Sequence, residues 1–123
     1  MGYSNGLQTT HTVSGMNFVS GAAEDLVLAG PKGLTGRVTS MSVLVTTGVT
    51  NAPSAIQVGV SGGDLDAYAT APVAIAAANA VTGNVVSAGV LGNKIPADTK
   101  FAIGNAGGSS AGVGSAVVTI EWS

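Results

Sequence analysis

Apolar residues in this chain recur at every second position in short runs, and glycine or proline interrupts each run before it lengthens. In GSAVVTIEWS, Ala116, Val118, Ile120 and Trp122 share one side while Val117, Thr119 and Glu121 share the other. GRVTSMSVLVTT sets Met41, Val43 and Val45 on one face and Val38 and Leu44 on the other, so both faces are apolar and the spacing predicts a central strand. In AIQVGV, Ile56, Val58 and Val60 oppose Ala55, Gln57 and Gly59, and a glycine in mid-strand predicts a bulge or a close neighbouring backbone. A period of two excludes long amphipathic helices. About eight such runs predict an all-β chain, a single-domain antiparallel β-sandwich of jelly-roll type.

Residues 1–23 form a polar lead read as an N-terminal arm with one strand around Gln8 to Val13, and residues 24–123 as the sandwich. Further strands are expected at Asp25 to Ala29, in LDAYAT, in VVSAGVL and in TKFAIG, where Phe101 and Ile103 share a face. PVAIAAANAV fits either a helical turn or an edge strand. NAGGSSAGVG, residues 105–114, reads as a glycine loop that orders on contact, as does the arm. Trp122 is the single tryptophan and stands one residue from the end. A frayed end would leave it in water, so the last strand is expected to lie between others, and its burial to be needed for folding.

Charged residues make up 8% of the 123, against about 25% in an ordinary soluble domain. The four basic residues, Lys32, Arg37, Lys94 and Lys100, are scattered and outnumbered by six acids, which argues against a nucleic-acid partner. No apolar run approaches the roughly twenty residues needed to cross a bilayer, so no membrane partner is expected. The opening MGYSNGLQTTHTVSG lacks the basic and continuous apolar regions of a secretory leader, and export by that route is not expected. A surface of Ser, Thr, Ala and Gly with a net charge of −2 repels its own copies weakly. It suits a subunit of an assembly.

Chemistry-bearing patterns are sparse. Without cysteine there is no thiol catalysis or zinc–thiolate site, and a lone histidine, His11, provides no paired metal ligands. No serine stands in a G-x-S-x-G elbow, and GPKGLTG lacks the frame of a phosphate-binding loop. Neither catalysis nor a cofactor is expected. Asp64 and Asp66 in GGDLDAY fall short of a calcium loop and read as a turn. The residues open to a partner-binding role are Tyr3, His11, Phe18, Asp66 and Tyr68, with Tyr68 beside Asp66 the best aromatic platform for a sugar.

The ordered segments GRVTSMSVLVTTGVT, IQVGVSGGDLDAYAT, IPADTKFAIGNAGG, a glycine loop and VVTIEW resemble small β-sandwich proteins encoded among the structural genes of tailed bacteriophages. The resemblance covers Gly36 to Trp122. It implies a capsid decoration or cement protein, or a head-fibre or tail-fibre part: a trimeric jelly-roll subunit of the virion, bound to the major capsid protein lattice. The alternative is a glycan- or receptor-binding module of a tail or cell surface.

Overall fold

The computed structural model describes residues 7–19, 21–85 and 94–123. Eight strands follow along the chain: β1 (Leu7–Asn17), β2 (Gly21–Ala29), β3 (Gly36–Thr50), β4 (Ser54–Val60), β5 (Ala69–Val73), β6 (Val81–Val85), β7 (Lys100–Gly107) and β8 (Ala111–Trp122). They form two four-stranded sheets, one ordered β1-β8-β3-β6 and the other β2-β7-β4-β5. Every ladder is antiparallel. The chain passes from sheet to sheet at each step except β4 to β5, the strand order of a jelly roll. The expected all-β sandwich is the fold.

The last strand is interior, as its alternation requires. β8 lies between β1 and β3, and Trp122 stands opposite Leu7 in one ladder and Gly36 in the other. Its indole occupies space that two glycines leave empty: a Cβ on Gly36 would sit 2.6 Å from the ring, and one on Gly30 would overlap the same ring. Phe101 of the facing sheet meets the indole with centroids 5.7 Å apart and planes tilted by 51°. Thr35 and Ser123 exchange two backbone hydrogen bonds of 2.9 Å, which tie down the residue beyond the strand. Trp122 is 1% exposed.

Between the sheets, Met41, Val43, Val45, Val118 and Ile120 of one face Ile56, Val58, Phe101 and Ile103 of the other. The alternation in TKFAIG holds, with Phe101 and Ile103 in the core. In β3 one assignment changes. Val38 and Met41 both point inward because the register slips between Val38 and Ser40, so Val38 joins the core while Leu44 faces out. The extra residue turns the strand by half a period.

The first strand is longer than the alternation indicated, and β2 begins at Gly21, inside the segment read as the arm. β1 pairs with β8 from Leu7 to Asn17, with two residues, Ser14 and Gly15, set against one near Ser115. Gly15 takes a positive φ of 70° at this bulge, which glycine adopts without a side-chain clash. Beyond it, Met16 and Phe18 return to the core. Apolar spacing broken by a bulge does not read as a strand.

Other boundaries also move. The glycine loop shrinks to residues 108–110, because β7 runs on to Gly107 and β8 begins at Ala111. Strand β5 starts after Tyr68 and carries Pro72 at an edge of its sheet, where a missing N–H is tolerated. The alanine-rich segment after it forms turns and a single bridge from Ala76 to Val49, with no helix among the described residues. The strand expected in VVSAGVL falls mostly on residues 86–91, outside the described residues; its start, Val85, closes β6.

Removing residues 118–123 deletes the last five residues of β8, with the side chains of Val118, Ile120 and Trp122, each contributing roughly 1.5–3 kcal/mol or more on burial. The shortened chain is expected to show no cooperative thermal transition by circular dichroism. Gly36→Ala, which drives a methyl into the indole, is expected to cost about 1–3 kcal/mol in denaturant unfolding.

Candidate functional site

The two sheets differ in what covers their outer faces. Over the β2-β7-β4-β5 sheet, the segment from Ser61 to Ala67 folds back onto the strands. Gly59 packs so tightly beneath the Asp64 and Leu65 backbone that no side chain fits, which is the close approach its mid-strand position predicted. The Gly62 N–H donates to Glu24 Oε1 at 2.7 Å, pinning the segment across to β2. This face is partly roofed by its own chain.

The β1-β8-β3-β6 sheet presents its outer face differently. Directly opposed residues share a face, so the ladders set Thr10, Thr119 and Ser40 in one row and Thr12, Val117 and Ser42 in the next. Ser115, Leu44 and Val81 make a third row, in which Leu44 is 46% and Val81 60% exposed. At the opposite end, Arg37 donates to Glu121 at 3.5 Å. The rows between carry no charge. Short hydroxylated and β-branched side chains on a pleated surface lose little rotamer entropy when another surface is laid on them.

A shallow cleft of about 230 Å³ adjoins the charged end, lined by Thr35, Gly36, Arg37, Lys94, Glu121 and Ser123. The pair Arg37 and Glu121 is open to solvent and contributes little to stability. No histidine lines the cleft, so its hydroxyls have no imidazole base.

The five residues singled out in the sequence do not converge. Tyr3 lies outside the described residues. Phe18 is fully enclosed at the end of the core, its backbone bonded to Gly112 and Ser109. Tyr68 is 8% exposed and belongs to the core, so its ring has no free face on which a sugar could stack. Asp66 sits in the turn before β5, its carboxyl pushed above the ordinary range by a hydrogen bond to Asp64 and by that neighbour's charge. Its pairing with Asp64 is that of two acids in one turn.

His11 is half-buried in β1 on the side that faces the core. Its ring meets Phe101 edge-on at 6.2 Å, and Nε2 lies 3.0 Å from Thr9 Oγ1. The same oxygen accepts the Trp122 indole N–H at 2.8 Å, so one hydroxyl joins the imidazole to the indole. Burial lowers the His11 pKa below its ordinary 6.5 and keeps the ring neutral. The histidine is linked to the indole through Thr9. Asp25 is pushed the other way, upward by burial, against the effect of the 2.8 Å bond it accepts from Asn105 Nδ2.

The sequence reading missed the hydroxyl rows of the open face. Their signal was present in β8 as the outward set Val117, Thr119 and Glu121, but which strands flank β8 is a property of the sheet order. Comparison of the chain with protein families, with curated proteins and with solved structures finds no match.

A lowered histidine pKa makes stability greatest above the unfolded value of 6.5 and lowers it as pH falls through the folded value. Asp25 has the opposite sign: its contribution is present below the ordinary 3.8 and is lost as pH rises through its folded value. The melting temperature of His11→Gln is expected to fall less than that of the native chain between pH of about 8 and about 5.5, the window in which histidine titrates. Equal falls in the two proteins would show that His11 carries no such linkage.

Proposed function

We propose that this protein is a non-catalytic structural subunit of a virion, a decoration or cement protein that lies on the outer surface of a phage head and holds its lattice together. The observation that carries the reading is the open face of the β1-β8-β3-β6 sheet, uncharged except for the mutually paired Arg37 and Glu121. A face of this kind loses few counterions and little side-chain entropy on contact, so it can lie flat on a protein shell. The resemblance of Gly36 to Trp122 to phage structural β-sandwiches supports the same reading. The subunit is a homotrimer, and many weak contacts repeated over a lattice give tight attachment without a large hot spot. The glycan-binding alternative rests on Tyr68 and Asp66, and the enclosure of Tyr68 removes its aromatic platform.

In purified particles of the virus that encodes it, the chain is expected at hundreds of copies, measured by quantitative mass spectrometry. Binding of the purified protein to stripped shells is expected to change little with salt, because the contact face is nearly free of charge. Thr119→Glu, in the middle of that face, is expected to lower the affinity tenfold or more, about 1.4 kcal/mol or more, while leaving the fold intact. A monomer absent from the particle would overturn the proposal.

A further inference from the structure

Among the described residues the two sheets have four edge strands, β1, β6, β2 and β5, and two of them carry a device that blocks pairing with another chain. β2 carries Glu24 and Asp25 beside a register slip, and both carboxylates are engaged by donors of the same chain. β5 is five residues long and holds Pro72. Short strands, charge, bulges and proline are the known protections of a sheet edge. β1 differs. It is eleven residues long, LQTTHTVSGMN, with no Asp, Glu, Lys, Arg or Pro, and among the described residues it ladders with β8 alone.

We propose that the free edge of β1 is a pairing site for the β1 of a second copy of this chain, joined antiparallel about a twofold axis at Thr10. Among the described residues the regular run is Leu7 to Val13, since the bulge at Ser14 and Gly15 ends it, and Thr10 is the midpoint of that described run. Centring the axis there lets all of the run pair: Thr10 meets Thr10 of the copy, Gln8 meets Thr12, Thr9 meets His11 and Leu7 meets Val13. An isologous contact brings each residue near the axis against its own kind, which a charged strand could not tolerate. The neutral state of His11 keeps the set uncharged near neutral pH.

The axis stands perpendicular to the sheet, so the outer faces of both copies join into one continuous eight-stranded surface. With that surface laid on a shell, the axis is normal to the shell, as a lattice twofold between neighbouring trimers must be. This role rests on the reading in the preceding subsection; the strand pairing itself does not. One strand edge buries far less than the roughly 1,000 Å² of a stable interface, so the contact is weak in solution and gains strength from repetition on a lattice.

The chain has no cysteine, so single cysteines report the register without background. Thr10→Cys places two thiols across the axis at the Cα separation of about 4.5–5.5 Å found in antiparallel pairs, within disulfide range. Under mild oxidation of the purified full-length protein, Thr10→Cys is expected to form linked pairs at least about tenfold faster than Ser40→Cys, because pairing raises the effective thiol concentration. Ser40 is equally exposed on the same face, two strands from the edge. Gln8→Cys alone, about 13 Å from its mate, is expected to cross-link no faster than Ser40→Cys, and Gln8→Cys with Thr12→Cys as fast as Thr10→Cys. Equal rates for Thr10→Cys and Ser40→Cys would overturn the proposal. So would a faster reaction of Gln8→Cys than of Thr10→Cys. These rates are read on free protein, so failure of shell binding leaves them unaffected.

Discussion

The sandwich depends on where one indole is kept. Trp122 is the bulkiest group in the core, and it is held by a strand that two others flank, over a floor that two glycines clear. Its N–H is satisfied by Thr9 and its ring by Phe101 of the opposite sheet, so a single side chain ties β8 to β1 and to β7. In a chain with few aromatic residues, an apolar contact of this size is a large part of what offsets backbone entropy. The reciprocal bonds between Thr35 and Ser123 then prevent the strand end from opening and wetting the ring.

The same arrangement divides the molecule into an occupied side and an open side. On one sheet the segment from Ser61 to Ala67 uses the absence of a side chain at Gly59 to lie against the strands, and Glu24 secures it. On the other, rows of threonine, serine and valine face outward with nothing of the described chain above them. Low ionic content therefore has a location. Among the described residues, the uncharged character that composition shows only as an average extends over the rows of one outer sheet face and along the β1 strand.

Much of the fold was legible in local pattern. Period-two alternation identified β3, β4, β7 and β8, and glycine and proline marked most of the turns between them. What failed were the places where the pattern is broken by an extra residue. The slip near Val38 and Ser40 reversed the facing of Val38, and the bulge at Ser14 and Gly15 hid the length of β1. A bulge shifts the phase of alternation, and a one-residue shift exchanges inside and outside. The candidate residues fared less well than the strands, because an aromatic in a strand looks the same in sequence whether it faces water or core; Phe18 and Tyr68 face the core.

The amino-acid sequence by itself determined that the chain would be built of strands, that its last strand would be interior and that its surface would carry little charge, since each of these follows from residue type and spacing alone. Only the tertiary structure decided which strands are neighbours, and with that which outward residues form rows, which edges are protected and which glycines make room for the indole. Side-chain period is a local property, transmitted from one residue to the next along the backbone. Sheet order brings together residues as distant as Thr9 and Trp122, and no local repeat encodes that meeting.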